Sequence, residues 1–169
     1  KHFIGFLCFF ISAILFSLIL KKQFSNLYVT IFGTLIYFFS PRIYGTSFFD
    51  GKDLFFLSMF TITLFFYLNF ENSKKIISLI IFSLFAAFAT SSRIVGIMIP
   101  ISFLIIYIFQ MLSRGKIKNE IKLILIFLFS YILFLFIHWP YLWNLDFGMF
   151  TGDMNLTVFF NGEYYKQKY

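Results

Sequence analysis

The sequence predicts an all-α integral membrane protein, a polytopic bundle of about six transmembrane helices. Hydrophobic residues make up 60% of the chain and charged residues only 12%, which is far more apolar than a soluble domain. The apolar runs lack the alternation of barrel strands, and a backbone in lipid must satisfy its own hydrogen bonds. Helices are therefore the expected form of each run.

The apolar runs have the length of membrane spans. About 20 residues, and as few as about 17, are needed to cross the hydrocarbon region. The six predicted spans run from Phe3 to Leu20, Phe24 to Phe39, Leu54 to Phe70, Ile76 to Ala89, Ile94 to Leu112 and Ile121 to Trp139. The second and fourth are short, and we expect the lysine pairs that precede them to snorkel to the headgroups and extend their usable length.

Charge in the connecting loops predicts the orientation. The loops after the first, third and fifth spans carry most of the cations: Lys21, Lys22, Lys74, Lys75, Arg114, Lys116, Lys118 and Lys122. The positive-inside rule places these loops in the cytoplasm and the alternate loops outside. The net charge of +7 is then a topology signal. It predicts membrane lipids, and no nucleic acid, as the partner of these loops.

The ends of the sequence predict a fragment of a longer protein. The chain starts at Lys1 without an initiating Met and stops at Tyr169 without a closing element. We expect at least one upstream span. Residues 1–139 form the predicted transmembrane region, and residues 140–169 form a truncated exterior segment that lies at the membrane interface.

The first of three polar groups follows the second span. Pro41 should stop that helix, and the pair Asp50-Gly51 should turn the chain back so that Lys52 and Asp53 start the third helix. Asp53 either caps the helix N-terminus, for about 0.5 to 2 kcal/mol, or belongs to a site. Arg42 is either an interfacial anchor or a bidentate phosphate ligand.

The second polar group contains Arg93, the single charge between two spans that have almost no linker. Ionisable groups near membrane depth are costly and usually functional, so a role in a site is favoured. The neighbouring small residues, from Ala86 to Ser92, are typical of close helix packing.

The third polar group starts at His138, after the sixth span. The Trp and Tyr residues from 139 to 143 are typical of an aromatic belt at the interface. His138 itself is a candidate to bind phosphate or to relay a proton.

Three stretches of the chain resemble the bacterial branch of the protein mannosyltransferase family. They are the loop from Ser40 to Asp53, the Ser-Arg-Ile-Val-Gly sequence around Arg93 and the His-Trp-Pro-Tyr-Leu-Trp sequence from His138, with Gly-Glu-Tyr-Tyr-Lys at 162–166 as a weaker match. The family consists of polytopic glycosyltransferases of the C superfamily fold. The chain departs from it at Thr46, where relatives often have His, and at Asp50-Gly51, where they have Asn-Pro.

The resemblance implies transfer of a sugar from a polyprenyl-phosphate donor to a protein or lipid acceptor, on the exterior face of the bacterial inner membrane. The catalytic Asp of the family lies in a loop upstream of this sequence, so the base is expected outside it. Arg42, Lys52, Arg93 and His138 are then candidates to bind the donor phosphate, and Asp53 to orient a cation or hold a divalent metal ion. The alternatives are a transporter or flippase of an anionic lipid-linked substrate, and a structural membrane subunit without chemistry.

Overall fold

The helices up to His138 form an up-and-down bundle. The computed structural model describes residues 2–41, 43, 45, 51–114 and 117–139. Within these ranges it contains no strand, and its helices are α1 (His2–Phe24), α2 (Leu27–Phe39), α3 (Gly51–Ser73), α4 (Ile76–Ser92), a 3₁₀ turn (Ile94–Ile97), α5 (Met98–Arg114) and α6 (Ile117–His138). The predicted all-α fold is confirmed for this part of the chain.

Two tight turns set the first and third connections. Ser25 and Lys74 adopt left-handed backbone conformations, with φ of 49° and 52°, and each ends its helix with a hydrogen bond back to a carbonyl four residues earlier. Asn26 then caps α2, because its side-chain oxygen accepts from the N–H of Tyr28 at 2.9 Å. The prediction that Phe24 starts the second helix is therefore wrong: Phe24 ends α1, and α2 starts at Leu27.

Four helices have the length and composition to cross a membrane. These are Phe3–Phe24, Gly51–Ser73, Ile94–Leu112 and Glu120–His138, the third of which includes the 3₁₀ turn. The 13 residues of α2 and the 17 of α4 extend for only about 20 Å and 26 Å at 1.5 Å per residue. The hydrocarbon region is about 30 Å thick, so α2 and α4 are the short members of the six, as the sequence predicts for the second and fourth spans.

Aromatic side chains form the main core. Phe70 of α3, Phe82 of α4 and Phe103 of α5 are buried together with Phe127 of α6, and the Phe103 and Phe127 ring centroids are 4.3 Å apart. On α4, Ala86, Ala87 and Ala89 are fully buried. Their small side chains allow neighbouring helices to approach closely, which confirms the packing role predicted for this stretch.

The alternating directions of the helices give the bundle two distinct ends. One end, called the lysine end below, carries Lys21 and Lys22 in the last turn of α1 and the turn at Lys74 and Lys75. The opposite end gathers the end of α2, the start of α3, the 3₁₀ turn and the end of α6. The helices up to His138 form one compact unit, and the predicted exterior segment, residues 140–169, lies outside the described residues.

Candidate functional site

The candidate site lies opposite the lysine end, where Asp53 and Arg93 meet. Asp53 is in the first turn of α3. Arg93 directly follows α4, has an extended backbone (φ −146°, ψ 133°) and donates its N–H to the carbonyl of Ala89 at 3.1 Å. The antiparallel packing of α3 and α4 brings these two helix ends together, although 40 residues of sequence separate them.

The Arg93 guanidinium contacts the Asp53 carboxylate. The side chains are 44% and 38% exposed, respectively, so the pair is accessible from outside the bundle. An ion pair this exposed stabilises a fold by only about 0.2 to 1 kcal/mol. Its larger effect is to orient the planar guanidinium, which has five N–H donors in a fixed geometry.

Gly96 fixes the position of Arg93 on α4. A Cβ atom at residue 96 would lie 2.6 Å from the main-chain carbon of Ala89 and 2.6 Å from the nitrogen of Thr90. Both neighbours are backbone atoms that cannot rotate away. The N–H of Gly96 also donates to the Arg93 carbonyl at 2.8 Å. The 3₁₀ turn is therefore packed against the end of α4, and Arg93 is held between them.

His138 ends α6 on the same side of the bundle. Its Nδ1 donates to the Phe134 carbonyl at 2.9 Å, because a carbonyl can only accept, and this leaves Nε2 as the ring atom for other partners. The imidazole also contacts the Phe88 ring, with centroids 4.0 Å apart. Phe88 precedes Arg93 by five residues, or about 7.5 Å along a helix axis.

A buried hydrogen bond anchors α6 to α4 just below Arg93. The Tyr131 hydroxyl donates to Thr90 Oγ1 at 3.0 Å, and the Thr90 hydroxyl donates to the Ala86 carbonyl at 2.9 Å. The sequence does not predict this bond. A Tyr among apolar residues in a span gives no sign of its partner on a distant helix.

Of the five predicted site residues, the structure brings two into contact and leaves one outside its described ranges. Asp53 and Arg93 are paired. Lys52 is exposed beside Asp53 in the first turn of α3, and His138 lies at the same end of the bundle. Arg42 lies outside the described residues, as do Thr46 and Asp50.

A metal centre gains no support from the described residues. Among them no group of three or more His, Cys, Asp or Glu side chains is close enough to hold an ion. The Asp53 carboxylate, for which metal binding and orientation of a cation were the two alternatives, contacts Arg93. Orientation of a cationic side chain is the role of Asp53 that the geometry supports.

A second polar cluster, which the sequence does not predict, lies at the lysine end. Lys74 Nζ is 2.7 Å from Glu71 Oε1 and donates to the Tyr107 hydroxyl at 3.1 Å. That hydroxyl donates to Glu71 Oε2 at 3.0 Å. The spacing of Glu71 and Lys74, three residues apart, was a usable signal, whereas the participation of Tyr107 depends on the packing of α5 against α3.

Comparisons of this chain with protein-family models, curated proteins and solved structures give no match. The resemblance to mannosyltransferases consequently depends on the motifs of the sequence alone.

Proposed function

We propose that this chain is the donor-binding part of a membrane glycosyltransferase, which moves a sugar from a polyprenyl-phosphate carrier to a protein or lipid acceptor on the exterior face. The observation that carries the proposal is the half-exposed Arg93–Asp53 pair at the end opposite the lysines. A fixed guanidinium at a membrane interface is suited to a phosphate that is attached to a lipid. The local motifs around both residues support the same assignment.

The chemistry requires a stabilised leaving group. An acceptor hydroxyl attacks the anomeric carbon, the bond from that carbon to the phosphate oxygen breaks, and polyprenyl phosphate leaves with an added negative charge. Fixed hydrogen-bond donors directed at this oxygen lower the barrier, because they need no reorganisation as the charge develops. Arg93 supplies such donors, and Lys52 and His138 are the next candidates. The resemblance assigns the base that takes the hydroxyl proton to an acidic loop of the family that lies outside this sequence.

Asp53 has a double effect in this scheme. Its carboxylate competes with phosphate for the guanidinium, which weakens ground-state binding. It also holds the planar guanidinium of Arg93 in one orientation, so that the Arg93 side chain loses less entropy when the phosphate binds. We therefore assign Asp53 to the positioning of Arg93.

A transporter or flippase of an anionic lipid-linked substrate is the second candidate. The 3₁₀ break between α4 and α5 favours it, because interrupted helices line many transport sites. However, the described ion pairs lie at the two ends of α3. Transport sites are typically near the bilayer midplane, so the transferase remains the better supported proposal.

The fate of the donor lipid distinguishes a transferase, which consumes it, from a flippase, which moves it intact. Membranes containing the complete protein are incubated with radiolabelled polyprenyl-phosphate-mannose, and both sugar transfer and movement of the carrier between leaflets are followed. A transferase yields labelled acceptor and free polyprenyl phosphate in equal amounts. Movement of intact donor between leaflets without labelled acceptor would replace the transferase by the flippase.

A further inference from the structure

An apolar groove lies between α3 and α5. Its volume is about 380 Å³. The side chains that line it include Phe60, Leu64 and Tyr67 from α3, Met98 and Ile106 from α5, and Phe82 from α4. The side chains of α3 and α5 enclose the groove together with Phe82 of α4.

The groove is aligned with the Arg93–Asp53 pair. Asp53, Phe60 and Tyr67 recur every seven residues, so they lie on one face of α3. From Asp53 to Phe60 the distance along the helix axis is about 10 Å. On the other wall, Met98 follows Arg93 by five residues. The ion pair thus lies beyond one end of the groove.

The other end of the groove is bounded by the second polar cluster. Ile106 on one wall directly precedes Tyr107, whose hydroxyl is bonded to both Glu71 and Lys74. Charged groups therefore bound an apolar space of limited length. From Phe60 to Tyr67 the groove follows α3 for about 10 Å, roughly a third of the hydrocarbon thickness of about 30 Å.

We propose that this groove holds the part nearest the phosphate of a single hydrocarbon chain, with the phosphate at Arg93. The inference rests on the proposed function for the position of that phosphate. A volume of 380 Å³ accommodates about a dozen groups the size of a water molecule, at about 30 Å³ each. One chain of about that many carbons fits, whereas a helix about 10 to 12 Å wide with its side chains does not. The rest of a long polyprenyl chain lies in the bilayer.

The groove sets the path of the hydrocarbon chain and contributes little to the affinity for the lipid. A hydrocarbon chain gains little free energy on moving from lipid to an apolar protein surface, because lipid tails are as apolar as Leu. Affinity then comes mainly from the phosphate, and the groove selects how the chain leaves the headgroup. A lipid with one chain can adopt this path directly, whereas a diacyl lipid must part its two chains at the headgroup, one into the groove and one into the bilayer.

Photocrosslinking tests the path directly. The complete protein, in lipid nanodiscs, is incubated with polyprenyl monophosphate that carries a diazirine either close to the phosphate or at the far end of the chain. Peptide mass spectrometry should map the near-phosphate probe to Phe60 and Met98, at the end of the groove nearest Arg93, and the far-end probe to other, dispersed positions. Diacyl phosphatidate with a diazirine on one chain is the comparison lipid, and it should label the groove weakly.

Two matched variants test whether the groove is required. Leu64→Trp fills it, and Leu133→Trp places the same bulk on α6; the original side chains are similarly exposed, at 38% and 46%. Because the larger side chain occupies the space that the hydrocarbon chain needs, labelling of Phe60 and Met98 should fall about tenfold or more in Leu64→Trp and remain unchanged in Leu133→Trp.

Three results would overturn the inference: near-phosphate labelling confined to other helices, equal labelling by phosphatidate, or full labelling in Leu64→Trp. The first of these needs no variant, so a misfolded mutant cannot obscure the answer. Groove labelling without sugar transfer would retain the groove and reject the transferase. Sugar transfer with labelling outside the groove would retain the transferase and reject the groove as the path of the chain.

Discussion

Replacement of Arg93 by Lys separates phosphate binding from simple anchoring. Lysine keeps the positive charge and a long aliphatic stem but lacks the planar fork that binds two phosphate oxygens at once. We expect kcat/KM of the complete enzyme to fall about tenfold or more, equivalent to about 1.4 kcal/mol of transition-state stabilisation. The loss should appear with every acceptor, because Arg93 contacts the donor.

The structure predicts that this substitution leaves the fold nearly unchanged. The Arg93 and Asp53 side chains are 44% and 38% exposed, so their pairing contributes only about 0.2 to 1 kcal/mol to stability. Lysine retains part of that. Protein level in the membrane and the thermal unfolding midpoint in detergent should therefore stay close to those of the wild type.

Initial rates with polyprenyl-phosphate-mannose measure the effect. The matched control is Lys22→Arg, the reverse replacement at the lysine end of the bundle. This variant should retain full activity. Normal kcat/KM in Arg93→Lys would show that Arg93 does not bind the donor phosphate through its planar guanidinium and is only an interfacial anchor. A parallel loss of stability and rate would instead make the ion pair structural.

Three further predictions concern the bundle and the site. With the native cysteine removed, Gly51→Cys should react with an impermeant thiol reagent from outside and Ser73→Cys should not; the reverse would invert the orientation. Gly96→Ala should lower transfer about tenfold or more, because its Cβ meets backbone and displaces Arg93, whereas Gly5→Ala, where nothing lies within 4 Å, should retain activity. Equal transfer rates for Gly96→Ala and Gly5→Ala would show that the 3₁₀ turn does not position Arg93 for transfer. Tyr131→Phe should destabilise the protein by about 0.6 to 1.5 kcal/mol in chemical or thermal unfolding, and an unchanged midpoint would show that the bond to α4 contributes nothing.

The sequence predicted the helices because membrane insertion leaves few alternatives. Long apolar runs must satisfy their backbone internally, and Pro41 correctly marked where α2 stops, at Phe39. The error at Phe24 has a local cause. Lys21 and Lys22 were interpreted as a loop, but both lie in the last turn of α1, where their long side chains can reach the headgroups. The helix therefore continues to Phe24, and Ser25 turns the chain.

The contacts within the candidate site could not be predicted in the same way. The sequence selected Asp53 and Arg93 one at a time, from helix-start and membrane-depth arguments. Their pairing depends on how α3 and α4 pack, and no local pattern encodes it. The same holds for Tyr131 and Thr90, which are 41 residues apart. Residues at helix ends were predictable as candidates, and their partners required the fold.

Sugar transfer by the complete protein, compared between wild type and Arg93→Ala, shows whether the protein is a transferase that uses Arg93 to bind the donor phosphate. Radiolabelled polyprenyl-phosphate-mannose is supplied to reconstituted protein with membrane protein and lipid acceptors, and labelled acceptor and released polyprenyl phosphate are both quantified. We expect equal amounts of the two products in the wild type and a reduction of about a hundredfold or more in Arg93→Ala, as for removal of one charge-stabilising donor. Equal transfer by both proteins, or no transfer by either under conditions where the carrier lipid binds, would contradict this expectation.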